Sequence, residues 1–259
     1  MIALPKSLSV SVDGEIAILK LDRAAKRNAL DDATVEGIGA FFAAPPEGVK
    51  AIVLHGAGEH FCAGLDLGEL QARSTAAGIA HSRQWHRAFE QIEFGTVPAV
   101  AALHGAVVGG GLELAAACHI RVAEPSAFYA LPEGGRGIFV GGGGSVRIPR
   151  LMGAARMADM MLTGRVYSAE EGQAAGLSQY LVGAGEGLAR AIAIAKQIAT
   201  NAPMTNFAVI QALPRIVEAG RESGLLAESL MAAIAQGEPE AKQRMTAFLD
   251  KRAAKVGKK

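Results

Sequence analysis

Cysteine is scarce in this chain. Its 259 residues hold two, Cys62 and Cys118, both in apolar surroundings and without a Cys-x-x-Cys spacing. That excludes a disulfide framework and a structural zinc site, and it fits a reduced, cytoplasmic protein. A surplus of one charge is missing too. Twenty-six Lys and Arg face 25 Asp and Glu, so there is no basic stripe of the kind a nucleic-acid binder needs. No apolar run reaches the roughly 18 residues of a membrane helix. Positions 1–12, MIALPKSLSVSV, carry one Lys, an early Pro and alternating Ser, which is not a signal-peptide layout. The six histidines lack a metal-ligand spacing, and His81 and His86 sit five apart, off one helical face. They read as polar handles and solvated helix positions, and no metal is expected. A chain of this length buries about three quarters of its unfolded surface and needs no covalent staples.

Glycine is abundant instead, 32 residues, clustered at 56–68, 105–111, 134–144 and 183–187. Clusters beside apolar, strand-length runs mean tight turns or close approach to a backbone. Strands are predicted at Ile16–Leu21, with Val10–Val12 as hairpin partner, and at Val49–His55, Val97–Leu103, Ile120–Ala123, Ala127–Ala130 and Tyr180–Val182. Helices are predicted from an Asp31 or Asp32 cap to Phe42, stopped by Pro45-Pro46, and over Thr75 to Phe94, Leu112–Cys118, 145–163 and 168–175. From Glu186 to about Ala253 the pattern is nearly all helical, with breaks near Asn201-Ala202-Pro203, Gly220 to Gly224 and Gly237-Glu238-Pro239. Strands alternating with helices and then helices alone give an α/β core, 1–200, with a helical C-terminal arm, 201–259.

Several nucleotide and hydrolase motifs fail. Gly56-Ala-Gly-Glu-His-Phe61 carries Phe where a dinucleotide fingerprint has its third Gly. Gly141–Gly144 is not followed by Gly-Lys-Ser/Thr, and there is neither a Gly-x-Ser-x-Gly elbow nor a His-Glu-x-x-His helix. What survives is a pair of segments, His60-Phe-Cys-Ala-Gly-Leu-Asp-Leu67 and His104 to Ala115, followed by Ala130-Leu-Pro-Glu-Gly-Gly-Arg-Gly137. Gly109–Gly111 present bare amides where a helix begins, which suits an oxyanion. Glu113 lies in the first turn of that helix among Leu and Ala, so it reads either as a dipole-satisfied carboxylate or as a buried acid with a raised pKa. Glu133, taken alone, reads as a turn carboxylate in water.

Together these motifs resemble the crotonase family, the enoyl-CoA hydratases and isomerases. The resemblance runs from Asn28-Ala29-Leu30 through Phe-Cys-Ala-Gly-x-Asp-Leu, Gly-Gly-Gly-x-Glu-Leu-Ala and the glycine tract ending in Ser145 to Arg150, then Met161–Gly164 and Ala174–Leu177, to Ala247 through Arg252. It implies a spiral of repeated ββα units with a C-terminal trimerisation arm, assembled as a homotrimer or a dimer of trimers. It implies an acyl-CoA substrate, no cofactor, no nucleic acid and no membrane. By position, the amides of Leu65 and Gly110 form an oxyanion hole, and Glu113 and Glu133 are the two catalytic acids, Glu113 holding the water and Glu133 exchanging a proton with the α-carbon. Ala63, Asp66, Leu67 and Gly68 line the substrate. Lys26, with Arg23 and Arg27, faces the phosphates or is a solvated turn charge. Phe248 and Lys251 reach a CoA site, or are packing and a surface charge. Gly68 departs from the Lys often found there, and Val140 from the Pro common in hydratases. Trp85 and Phe139 are pocket candidates, while Phe89 reads as core. Arg136 pairs either with a polar acyl tail or, by preference, with a structural carboxylate. Both acids favour hydration of 2-enoyl-CoA. Isomerisation, C–C cleavage and thioester hydrolysis remain open within the family, as do a nucleotide-binding module and an inactive structural trimer outside it.

Overall fold

A computed structural model describes residues 3–66, 68 and 74–250. The expected contacts Leu67 and Lys251 lie outside the described residues. The chain divides into two compact units, Met1–Ala199 and Thr200–Lys259.

In the first unit β1 (Leu8–Asp13) and β2 (Ile16–Leu21) pair antiparallel across Gly14, whose φ of +60° suits the turn. Parallel strands then add outward from β2: β3 (Ala51–Gly56), β4 (Ala99–Leu103), β6 (Ile120–Ala123) and β9 (Tyr180–Leu181). A second, smaller sheet joins β5 (Ala106–Val108), β7 (Phe128–Ala130) and β8 (Tyr167–Ser168). The winding repeats. A strand of the large sheet is followed by a short second strand or a single bridge, then by a helix. β2 leads to Leu30, which bridges to Leu65, and to α1 (Asp32–Ala43); β3 leads to Cys62, which bridges to Val107, and to α2 (Thr75–Glu93). β4 and β5 lead to α3 (Gly110–Ala117). This is the expected ββα spiral.

β3 and β4 are buried on both faces, which is why each reads as a continuous apolar run. Ile52, Leu54, Ala101 and Leu103 face the main core, while the alternating Ala51, Val53, Val100 and Ala102 pack with Ala191, Ile194 and Ala195 of α7 (Gly187–Ala199). Local chemistry sets the helix starts. The Asp31 carboxylate accepts from Thr34 N at 2.8 Å, which settles the choice of cap for α1, and Ser74 Oγ accepts from Ala77 N at 3.2 Å for α2. Such caps contribute about 1 kcal/mol each. The segment predicted as one helix over 145–163 is two, α4 (Gly144–Met152) and α5 (Ala154–Thr163), because Gly153 sits at φ +85° between them. The predicted strand at Val97 starts two residues later, at Ala99, since Pro98 offers no amide to the ladder.

α6 (Ala169–Ala175) follows β8 and precedes β9 in the first unit. The second unit contains α8 (Pro203–Phe207), a π-turn at Ala208–Ala212, α9 (Leu213–Glu218), α10 (Arg221–Gly237) and α11 (Pro239–Leu249). Its central break falls at Ala219-Gly220; Gly224, expected in the break, lies inside α10. Among the described residues no helix is long and apolar enough to cross a membrane. Both cysteines are free and buried, and burial pushes their thiols up to about 12, far from the thiolate range that reactivity needs.

Candidate active site

Two stretches of backbone approach closely at the mouth of α3. Cys62 N donates to Ala106 O at 2.9 Å and Val108 N to Cys62 O at 3.1 Å, so residues 62–65 and 106–110 run side by side. Glycine makes the approach possible. A Cβ on Gly111 would stand 2.3 Å from Cys62 O, and one on Gly64, at φ +94°, would stand 2.7 Å from Val108 O. The amides of Leu65 and Gly110 are thereby neighbours: a Cβ built on Gly110 lies 3.6 Å from Leu65 N. Neither amide donates a hydrogen bond among the described residues. Gly110 N is one of the orphan amides at a helix start, where the dipole also favours negative charge.

Glu113 is 3% exposed, on the inner side of α3's first turn. Its Oε1 accepts from Gly142 N and Gly144 N, each at 2.8 Å. The tract Gly141–Gly144 is thus a cradle for a carboxylate. A Cβ on Gly144 would meet Glu113 Cγ at 2.7 Å, and one on Gly142 would meet its Oε2 at 3.1 Å. Arg147 braces the cradle, donating to Gly142 O at 3.0 Å and to Glu93 Oε2 at 2.6 Å. Burial pushes the Glu113 carboxyl up to about 7, against the pull of the two amides and with a further push from the charge of Glu133.

Glu133 caps a 3-10 turn, Gly134–Arg136, and is 8% exposed. The reading of it as a turn carboxylate in water is therefore corrected. The turn is seated against α5, where a Cβ on Gly134 would stand 2.1 Å from Met161 O. Glu133 Oε2 is buried with no hydrogen-bond partner among the described residues. Burial raises its pKa too, opposed by a backbone amide and by the Arg136 charge. A buried, unpaired carboxylate oxygen is costly, so its pKa rises to favour the neutral acid.

Both acids and both amides line one cavity of about 480 Å³. Ala63 and Gly64 complete its floor, and Trp85, Phe139 and Arg136 stand in its wall. Trp85 lies over Gly110, packs edge-on to Phe89 at 5.7 Å, and gives its Nε1–H to Asp32 at 3.3 Å; Phe89 itself is fully buried core. Arg136 is exposed and has no ion-pair partner among the described residues, so the preferred pairing with a structural carboxylate is not what the structure contains.

The structure does not bring Asp66, Lys26 or Gly68 to the cavity lining. Asp66 Oδ2 binds Arg23 at 2.6 Å and Lys26 at 2.9 Å, and its Oδ1 accepts from Gly68 N at 3.0 Å. The Lys26 ammonium, the Gly68 amide and the Arg23 guanidinium hold this carboxyl well below the usual range. These groups clamp the loop that carries the Leu65 amide. Phe248 lies on α11 of the second unit and is 65% exposed.

Three buttresses escaped the reading of the sequence. Asn28, in the left-handed region at φ +55°, donates to Ala57 O at 2.9 Å and His60 O at 2.7 Å, which pins Leu30 beside Leu65. His60 Nδ1 accepts from Ala106 N at 3.1 Å. Arg147 was visible as part of a motif, but nothing in its spacing announced Gly142 O as a partner. His119 fits the polar-handle reading: Nδ1 accepts from Ala99 N at 3.0 Å, Nε2 faces Glu93 O, and burial pushes the imidazole down to about 4.

The family model described as enoyl-CoA hydratase/isomerase matches residues 11–259. A short-chain-enoyl-CoA hydratase of Clostridium acetobutylicum is 31% identical over 243 residues, covering 93% of each chain. The 2,3-dehydroadipyl-CoA hydratase of Escherichia coli is 31% identical over 249 residues, covering 95% of this chain and 96% of that one. A crystal structure from Rhodopseudomonas palustris superposes with a TM-score of 0.94 at 57% identity, covering 99% of both chains. An enoyl-CoA hydratase from Bacillus anthracis superposes at 0.89 with 29% identity over 96% and 98%. The ββα spiral and the helical arm agree with these likenesses, and the chain belongs to the enoyl-CoA hydratase/isomerase family, the crotonase superfamily.

Proposed function

We propose that the protein adds water across the double bond of 2-enoyl-CoA thioesters, giving 3-hydroxyacyl-CoA, with acyl-CoA as substrate and no cofactor. One observation carries this reading: two buried carboxylates line the same cavity as two backbone amides that have no hydrogen-bond partner among the described residues. The amides of Leu65 and Gly110 receive the thioester oxygen as negative charge develops on it. Each such donor contributes about 3–4 kcal/mol where charge appears in the transition state. Polarised in this way, the β-carbon takes the water oxygen. Glu113, its Oε1 held by two amides, orients the water through the other oxygen and accepts its proton. Glu133, whose Oε2 has no partner among the described residues, supplies the proton that bonds the α-carbon. Hydroxyl goes to Cβ and hydrogen to Cα, and proton exchange between the acids through solvent restores the pair. Repulsion between the two carboxylates favours a state holding one proton.

Mixing the protein with crotonyl-CoA tests this. The expected result is loss of enoyl conjugation with 3-hydroxybutyryl-CoA as product. A deconjugated isomer, a cleaved chain or free CoA as the only product would each overturn it in favour of another branch of the superfamily. The pH profile follows from the raised pKa of Glu113, at about 7. Glu113 accepts the water proton only when it is ionised, so kcat/KM falls as pH drops below about 7 and this base becomes protonated. The charge of Glu133 helps to raise the Glu113 pKa, so Glu133→Gln shifts the Glu113 titration to lower pH.

The second unit exposes Leu213, Val217, Leu225, Leu226, Leu230 and Ile234, Val217 by 75%. An apolar surface of this extent on separate turns marks an interaction face. We propose that copies of the chain cover it in a trimer or a dimer of trimers. Sedimentation of a trimer or hexamer is the expected outcome; a monomer at micromolar concentration overturns the assembly.

A further inference from the structure

Among the described residues lining the cavity, Arg136 carries a positive charge that no ion pair uses. Beside it the wall is apolar, formed by Ile138, Phe139 and Val140. Resting on the hydratase reading above, we propose that the cavity takes an enoyl chain ending in a carboxylate, with Arg136 as the counter-ion for that tail.

Three features support the assignment. First, Arg136 is presented by a fixed element. It ends the 3-10 turn Gly134–Arg136, whose Gly134 is seated on Met161 O so closely that no Cβ fits, and whose C-cap Gly137 sits at φ +70°. The same turn begins at Glu133, so the backbone that carries Arg136 and the catalytic acid rest on one support. Second, the carboxylates among the described residues that line the cavity are Glu113 and Glu133. Glu113 Oε1 is taken by Gly142 N and Gly144 N, and neither acid forms an ion pair with Arg136 among the described residues. Third, the chemistry of the side chain suits a carboxylate. A guanidinium offers two parallel N–H donors that match both oxygens, and it loses less on desolvation than an ammonium. A cation beside Ile138, Phe139 and Val140 weakens the binding of a methyl-ended chain and strengthens that of an anionic one, which is how specificity arises as a difference of affinities.

The test uses chain-matched substrates with the intact protein. Hydration of 2-hexenoyl-CoA is compared with that of 2,3-dehydroadipyl-CoA, and the comparison is repeated for five- and eight-carbon pairs. The expected result is that wild type prefers the carboxylated member in at least one pair, as the ratio of kcat/KM values. Arg136→Ala lowers that ratio at least about tenfold, the scale of one charge-assisted pair, and Arg136→Lys falls between. Equal losses on both members of every pair would assign Arg136 to a CoA phosphate or to Glu133 alone and overturn the proposal. So would the absence of any preference at all three lengths. If no substrate is hydrated, the hydratase reading fails, and calorimetric binding of adipyl-CoA against hexanoyl-CoA still decides the tail: an Arg136-dependent preference supports it, and none overturns it.

Discussion

Glu133→Gln is expected to lower kcat/KM for crotonyl-CoA hydration by at least about a hundredfold, and Glu113→Gln by as much, because a positioned acid or base typically contributes about 10²–10⁴ in rate. The amide of Gln cannot trade a proton with the α-carbon or with water. The fold gives the two variants different signatures. Glu133 Oε2 has no partner to lose among the described residues, so Glu133→Gln removes a buried ionisable group and leaves Tm level or higher. Glu113 Oε1 is held by Gly142 N and Gly144 N, and a Gln keeps both bonds only with its amide oxygen facing the cradle. The double variant is expected to lose little more than either single one, since groups acting on one water are not additive. A single variant with near-wild-type rate and unchanged Tm would remove that residue from the mechanism.

Gly64→Ala is the second large effect. The residue sits at φ +94°, and a Cβ would press on Val108 O at 2.7 Å. Both the backbone conformation and the contact resist it. The cheapest relief is to move residues 63–65 away from residues 108–110, which separates the amides of Leu65 and Gly110. Losing one oxyanion donor costs about 10²–10³ in kcat, so a loss of that order is expected with KM changing less. The control is Gly237→Ala, where a Cβ meets nothing within 4 Å; it is expected to leave the rate alone. Comparable rates for Gly64→Ala and wild type would mean that the thioester oxygen is not bound between these two amides.

Much of this architecture was legible in the residue order. Continuous apolar runs at β3 and β4 announced parallel strands buried on both faces, and helical spacing announced α1, α2 and the arm, because each pattern is a direct image of which side chains meet water. The site motifs were legible for the same local reason: a glycine triplet beside Leu112-Glu113 states that bare amides and a carboxylate share one turn. Burial of Glu133 was not. Its neighbours Pro132, Gly134 and Gly135 say turn, and a turn is usually wet; only the seating of Gly134 on α5, 27 residues further on at Met161, takes it out of water. The role of Gly141–Gly144 escaped for a related reason. A glycine tract reports that something approaches closely but not what, and its partner, the Glu113 carboxylate, comes from another turn of the spiral. Asp66 shows the converse. Its motif suggested substrate, yet two cations from the loop after β2 reach it first. Local composition dictates which residues seek burial and which turns are possible, whereas the partner of a buried charge depends on long-range winding, where electrostatic need is met by whichever group the fold delivers within about 3 Å.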